Sequence, residues 1–295
     1  MMKYLFGTLV MLLMASCGSK PEQYVKVGVA LMDRMALYAE GPEWESARQE
    51  ALEAVPANMD EAQDVVRKAL KVAGGKHSFI MPASHVAQND TAVCVMPVVT
   101  TGDEGIAIIQ LPEFAGNKAE GQRYVSTVLD AMSNDITAAI IDLRGNTGGN
   151  MYPMIASVHR FIDDGDHMLR FRGRKKAQQI PLSYVLRMQG IDEQPHITCP
   201  VALLTDSMTA SSGEALLICF RGQANTRTFG YGTAGYASAN APFPLPGGSR
   251  LLITTSCDVS RTGEEFCDDP IQPDVLTPHP MEDALEWIRL VRSSM

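Results

Sequence analysis

The sequence has little positive charge and no long apolar run beyond its first residues. Its 295 residues include 25 lysines and arginines against 34 aspartates and glutamates, which gives a formal net charge of -9. A nucleic-acid-binding domain needs a basic patch to neutralise phosphates, so we expect no nucleic-acid partner. After the N-terminus no segment approaches the ~20 apolar residues of a transmembrane helix, so we expect no later membrane span.

The sequence also lacks the usual fingerprints of nucleotide and zinc sites. The glycines of "DLRGNTGGN", Asp142 to Asn150, fit neither the G-x-G-x-x-G motif nor the G-x-x-x-x-G-K phosphate loop. Cys257 and Cys267 do not have the spacing of zinc ligands. We therefore predict a protein without a cofactor or a metal ion.

The first residues have the layout of a secretory signal. Lys3 precedes an apolar run, Tyr4 to Met14, that is too short to span a membrane. The run ends in "LMASCGS", which resembles the bacterial lipobox, whose cysteine becomes lipidated and N-terminal after cleavage. We predict a lipoprotein signal peptide over residues 1–17 and a lipid anchor at Cys17, facing the periplasm or the exterior. An ordinary signal peptide with a chance cysteine is the alternative.

Export would place the other cysteines in a compartment that permits disulfides. Cys257 and Cys267 flank "DVSRTGEEF", whose Arg261-Thr262-Gly263 is typical of a hairpin tip. Two cysteines on either side of such a tip can face each other across paired strands, so we predict a disulfide, with two free thiols as the alternative. Cys199 and Cys219 lie in apolar surroundings and are expected to be buried thiols.

The segment from Glu22 to Ala73 is rich in Ala, Glu, Lys, Met and Leu, which favours helices. Pro42 suits a first turn, and Gly74-Gly75 follow the last periodic residue, so about three helices are expected. We predict a small helical N-terminal region over residues 18–75.

After Gly75, short β-rich runs alternate with helical ones. "GIAIIQLP", "AAIIDLR" and "VALLTD" are typical of strands, whereas "KAEGQRYVSTVLDAM" and "GEALLICF" are typical of helices. This alternation favours an α/β fold with a mainly parallel sheet. We assign residues 76–280 to this domain and residues 281–295 to an amphipathic C-terminal helix.

Two loops lie where a strand ends and a helix begins, the place where open α/β sheets bind ligands. In "DLRGNTGGN" the glycines would let the backbone present N–H groups to negative charge, although a plain tight turn is the alternative. In "DSMTASSGEALL", Ser211 and Glu214 fit the S-x-x-E capping box. The same turn geometry would equally expose a nucleophile, so the pattern alone leaves both roles open.

Several segments together resemble the S41 peptidases, the tail-specific or C-terminal processing proteases. They occur in the family's order between Gly75 and Thr277: "AAIIDLRGNTGGN", "VALLTDSMTASSGEALL", "TFGYGTAGYAS", "LPGGSRLLITT" and "IQPDV". The resemblance implies a ClpP/crotonase-like catalytic domain, with Ser211 as the nucleophile. Glu214 and Thr233 align with family positions near the site and are expected to support it.

The branches of this family differ in the residue that acts as the general base for the catalytic serine. The Ser-Lys branch carries a lysine in the segment aligned with "TAGYAS", where this chain has Tyr236. The tricorn-like and interphotoreceptor-retinoid-binding-protein-like branch uses a histidine after the helical region, and "GGKHSFIMP" supplies His77. The resemblance therefore implies His77 as the base, with a surface or core histidine as the alternative. The histidines without comparable support are His85, His159, His167, His196 and His279.

Two departures leave open which residue orients the histidine. In the tricorn-like pattern a serine precedes the histidine, but here Lys76 precedes it and Ser78 follows. The acidic residue that the family places before "IQPD" falls at Cys267, which leaves three nearby carboxylates as substitutes. They are Glu264, Glu265 and Asp268, of which Glu265 is our candidate supporting residue.

The resulting hypothesis is a serine endopeptidase that acts on a peptide or protein through an acyl-enzyme. Ser211 would attack, His77 would transfer the proton, and N–H groups of Gly148 or Gly149 and of Ser212 would hold the oxyanion. A catalytically inactive peptide- or lipophile-binding protein on the same fold is the main rival, favoured by the missing lysine and acid. A crotonase-like thioester enzyme is a third hypothesis, which the absence of a basic cluster near the glycine loop disfavours. The sequence does not set the oligomeric state.

Overall fold

The structure is a computed structural model that describes residues 20–88, 94–102, 104–132, 135–163 and 165–294. The predicted signal peptide and Cys17 lie outside these residues. The described residues form two compact units. The first contains residues 20–88 with Gly173–Lys175 and Ala239–Ser256, and the second contains the others.

Helices and strands alternate along most of the described chain. The helices are α1 (Pro21–Met35), α2 (Gly41–Glu53), α3 (Met59–Gly74), α4 (Ala83–Gln88), α5 (Lys118–Ala131), α6 (Met151–Ser157), α7 (Leu182–Gln189), α8 (Ser212–Phe220) and α9 (Pro280–Ser293). The strands are β1 (Phe79–Met81), β2 (Val98–Thr101), β3 (Ile106–Gln110), β4 (Ala138–Asp142), β5 (Leu169–Gly173), β6 (Ala177–Ile180), β7 (Val201–Thr205), β8 (Thr226–Gly230), β9 (Ser238–Pro244), β10 (Arg250–Ser260), β11 (Glu265–Phe266) and β12 (Val275–Leu276).

In the first unit, α1 to α3 pack around an apolar core. Prolines stand in the first turns of α1 and α2, where an N–H would have no partner within the helix, and Asn58 caps α3. β1 pairs antiparallel with the start of β10, which brings Leu251 and Ile253 into this core. The unit therefore reaches beyond the predicted region 18–75, because strands distant in sequence complete its core. The core's largest buried side chains are Tyr24, Met32, Trp44 and Leu70.

The second unit is built on a six-stranded sheet in the order β12-β8-β7-β4-β3-β2. Neighbouring strands are parallel, except for the antiparallel outer pair β2 and β3. β4 and β7 are buried along their whole length, which explains their unbroken apolar runs. The mainly parallel sheet expected from the sequence is thus present.

Helices cover both faces of this sheet. On one face, α5 to α8 pack over Ile109, Ile141 and Leu203. On the other face, α9 packs Ala284 and Ile288 against the sheet. Among the described helices, none combines the length and the apolar character needed to cross a membrane.

A disulfide joins Cys257 and Cys267 in the second unit. β10 and β11 pair antiparallel with Asp258 opposite Phe266, and the chain turns at Arg261, within the predicted hairpin tip. Cys199 and Cys219 are buried free thiols.

Candidate active site

The two predicted loops lie side by side because β4 and β7 are parallel neighbours and both loops leave from their carboxyl ends. Hydrogen bonds tie the loops together. The Ala210 N–H donates to the Asn146 carbonyl at 2.9 Å, and the Thr209 hydroxyl donates to the Leu143 carbonyl at 2.9 Å. The Gly145 N–H donates to the Asp206 carboxylate at 3.1 Å. The fold thus brings the glycine loop and the serine loop into one structure.

Ser211 has a strained backbone. Its φ of 52° and ψ of -114° make it the one residue other than glycine with positive φ in the described chain. Such a conformation costs of order 1–3 kcal/mol and persists where the surroundings enforce it, most often at functional sites. The Ser211 hydroxyl faces the Glu214 N–H as in a capping box but does not form a side-chain cap hydrogen bond with it. Capping alone therefore does not account for this strained turn.

The glycine loop touches the serine turn directly. Gly148 and Gly149 have φ values of 111° and 103°, which favour glycine. A Cβ on Gly148 would lie 2.8 Å from the Ser211 Cβ and 3.2 Å from the Ser212 nitrogen. A Cβ on Gly149 would collide with the Phe114 carbonyl. Both positions therefore require glycine for space as well as for conformation.

The N–H groups of this loop are not equivalent. The Gly148 N–H donates to Asn146 Oδ1 at 3.0 Å, so it is already engaged. In the residues that the structure describes, the Gly149 and Ser212 N–H groups have no hydrogen-bond partner. The Ser212 hydroxyl donates to the Gly149 carbonyl at 2.6 Å and so fixes that peptide. Of the donors that the sequence suggested, Gly149 and Ser212 are the available ones.

Asn146 is a site residue that the sequence reasoning missed. It is fully buried, and its side chain donates to the Leu111 carbonyl at 2.8 Å while accepting from the Gly148 N–H. It therefore sets the conformation of the glycine loop. Its place within "RGNTGG" was a signal, but only the three-dimensional structure identifies its partners.

Glu214 connects Ser211 to the segment after β8. Its carboxylate is fully buried and accepts hydrogen bonds from the N–H groups of Ser211, Gly235 and Tyr236 at 2.8 to 2.9 Å, and from the Thr233 hydroxyl. Burial raises the pKa of Glu214, whereas these four donors oppose the rise by stabilising the carboxylate. With four donors around it, we assign the ionised form. Glu214 and Thr233 thus hold the turn that carries Ser211.

His77 lies in the first unit, in the turn between α3 and β1, and is half-buried. Its carbonyl accepts a hydrogen bond from Asn240 Nδ2 at 2.7 Å. The following Ser78 donates to the Gly74 carbonyl at 2.7 Å and accepts from the Thr254 N–H at 2.8 Å. Hydrogen bonds therefore fix the backbone on both sides of this histidine.

Two of the three carboxylates considered as substitutes, Glu264 and Glu265, form ion pairs with arginines. Glu265 is exposed and forms an ion pair with Arg172, whose hydrogen bond lowers the pKa of Glu265. Glu264 pairs with Arg221 at 3.1 Å. Glu265 also lies near the sulfurs of Cys257 and Cys267, but the disulfide removes the thiolates that a metal ion would need.

The buried His159 has a structural role. Its Nδ1 donates to the Ala156 carbonyl at 2.7 Å, and its Nε2 accepts from the Gln194 N–H at 3.0 Å. Burial lowers its pKa. His196 pairs with Asp163 at 2.8 Å.

A family model for "Peptidase family S41" matches residues 105–277, which is more than half of the chain. The chain belongs to peptidase family S41. The S41 match covers both loops and Glu214 and confirms the resemblance found in the sequence. The N-terminal helices and the mainly parallel sheet of the structure confirm the predicted fold class.

Individual proteins extend this similarity beyond the matched S41 segment. The nisin-resistance protein of Lactococcus lactis subsp. lactis is 30% identical over 278 residues, covering 91% of this chain and 87% of the relative. A lipoprotein structure from Streptococcus agalactiae has 27% identity and a TM-score of 0.84, covering 94% of this chain and 98% of that one. The photosystem II D1 C-terminal processing protease, at 13% identity and a TM-score of 0.62, covers 92% of this chain and 98% of its own and shares the fold.

Proposed function

We propose that this S41 protein is a serine endopeptidase with Ser211 as the nucleophile and His77 as the base. The observation that supports this most strongly is the strained Ser211 turn, held by Glu214 and packed against Gly148. A serine at a strained strand-to-helix turn is exposed to substrate, and the next N–H can stabilise an oxyanion.

The reaction follows from the roles of these groups. Ser211 Oγ attacks the peptide carbonyl while His77 accepts its proton, and the N–H groups of Gly149 and Ser212 stabilise the oxyanion. His77 then gives the proton to the leaving amine as the C–N bond breaks, which leaves an ester on Ser211. Water attacks this ester with His77 again as the base, releasing the acid and restoring the serine.

We propose peptides as substrates, and nisin as the first to test, because a relative that covers most of this chain is a nisin-resistance protein. The net charge of -9 favours the approach of cationic peptides over anionic ones. We also propose that Cys17 is lipidated and anchors the protein to a membrane of the cell envelope. Similarity to a lipoprotein and to the nisin-resistance protein supports an envelope location.

The direct test is hydrolysis of nisin and of a mixed peptide library, followed by mass spectrometry. Wild-type protein should cleave at defined bonds, and Ser211→Ala should not. Ser207→Ala is the matched control, because Ser207 is an exposed serine of the same loop. Cleavage that survives Ser211→Ala would refute Ser211 as the nucleophile. A folded wild type that binds peptides without cleaving them would favour the inactive binding protein instead.

A further inference from the structure

A second buried carboxyl lies near Glu214, and the proposed mechanism does not use it. Asp258 on β10 is 2% exposed, and within the described chain its Oδ1 has no hydrogen-bond partner. An ionised carboxylate in such a place loses its hydration without compensation. Burial first, and then the charge of Glu214, raises the pKa of Asp258 to about 8. Asp258 is therefore largely the uncharged acid at neutral pH.

Several titratable and charged groups surround Asp258. Glu214 and Cys219 come from α8, and burial and the charge of Asp258 raise the pKa of the Cys219 thiol. Arg261, in the turn after β10, donates to the Cys219 carbonyl at 2.9 Å. Glu265 on the paired strand β11 is exposed and bound to Arg172. Of these groups, Glu214 is the one whose charge raises the pKa of Asp258.

The backbone also connects Asp258 to the site. The Asp258 N–H donates to the Ala237 carbonyl at 3.3 Å, directly after the two residues whose N–H groups hold the Glu214 carboxylate. Glu214 in turn accepts from the Ser211 N–H at 2.8 Å. A short series of contacts therefore leads from Asp258 through Glu214 to the proposed nucleophile.

We propose that Asp258 is a positioning residue which, as the neutral acid, leaves Glu214 as the single negative charge in this interior and so keeps the Ser211 turn in place. The inference rests on the proposed role of Ser211. Loss of the Asp258 proton creates a second buried negative charge beside the first, and like charges at such a site repel strongly. Movement of Glu214 or of the segment before Ala237 relieves the repulsion and displaces Ser211.

The test is the pH dependence of peptide hydrolysis by wild type and Asp258→Asn, which keeps the shape and removes the titration. Wild-type kcat should fall above pH of about 8, by roughly tenfold for each further pH unit. Asp258→Asn should keep its neutral rate at alkaline pH. Asp269→Asn removes an exposed carboxyl and should follow wild type. If kcat of Asp258→Asn falls at alkaline pH as it does in wild type, the inference is overturned.

A second measurement does not depend on peptidase activity. Folding raises the pKa of Asp258 above its ordinary value of 3.8. The stability that Asp258 contributes is therefore fully present below about pH 3.8 and is lost as the pH rises through about 8. The difference in unfolding temperature between wild type and Asp258→Asn should therefore fall as the pH rises from about 3.8 to about 8. If the unfolding temperatures of the two proteins change with pH in parallel, the role of Asp258 is overturned, even if Ser211 is the nucleophile. If the difference in unfolding temperature falls with pH but no peptide is hydrolysed, the proposed function is wrong and the role of Asp258 stands.

If Asp258→Asn does not fold, infrared spectroscopy of the wild type provides the test. A protonated carboxyl band should be present at neutral pH and disappear with a midpoint near pH of about 8. A spectrum without such a band at neutral pH would overturn the proposal.

Discussion

Replacing Gly148 with alanine should remove most of the turnover. At its φ of 111° an alanine is strained by roughly 1–3 kcal/mol. The new Cβ would lie 2.8 Å from the Ser211 Cβ and 3.2 Å from the Ser212 nitrogen, so the two loops must separate. Separation displaces an oxyanion donor, and losing one such donor costs about 2.7–4 kcal/mol of barrier, a loss of ~10²–10³-fold in kcat.

The matched control is Gly145→Ala in the same loop. Gly145 also has positive φ, 74°, but a Cβ there would meet no atom within 4 Å. Both variants therefore place an alanine at positive φ, and only Gly148→Ala also brings a Cβ against the serine turn. The assay is kcat/KM on a cleaved peptide together with thermal unfolding. Equal kcat/KM in two variants of similar stability would show that the contact between the loops does not matter for turnover.

Glu214, the disulfide and Cys17 can each be tested separately. Glu214→Gln should lower the unfolding free energy by about 1–3 kcal/mol and reduce hydrolysis, because an amide cannot accept hydrogen bonds from all four donors. Denaturant unfolding curves and hydrolysis rates equal to those of wild type would contradict this. Reducing the Cys257–Cys267 disulfide, whose sequence separation is 10, should lower the free energy of unfolding by roughly 2–3 kcal/mol. Peptide mapping without a reductant should recover the two cysteine peptides joined, and recovery of both cysteines as free thiols would disprove the pairing. Cys17→Ser should abolish incorporation of a labelled fatty acid in cells, whereas persistent labelling would rule out that anchor.

Local sequence patterns were enough to predict the elements that carry the site. The unbroken apolar runs of β4 and β7 predicted buried parallel strands, and the S-x-x-E spacing placed Ser211 at a helix start. These features depend on neighbours in sequence, so periodicity and turn chemistry reveal them.

Other features depend on contacts between distant segments. Residues 239–256 join the helical unit because β10 pairs with β1, more than 160 residues earlier in sequence. The pattern also did not distinguish Gly148 from Gly149, since the difference lies in the Asn146 side chain. The burial of Asp258 beside Glu214 was equally invisible, because a single acidic residue in a strand has no local signature.

The role of Ser211 as the nucleophile is tested most directly by labelling the purified protein with a fluorophosphonate and mapping the adduct by mass spectrometry. We expect an adduct on Ser211 that is lost in Ser211→Ala and in His77→Ala. It should be kept in Ser207→Ala and in His85→Ala, which changes an exposed histidine. A folded wild type without an adduct, or with the adduct on another serine, would contradict this role of Ser211.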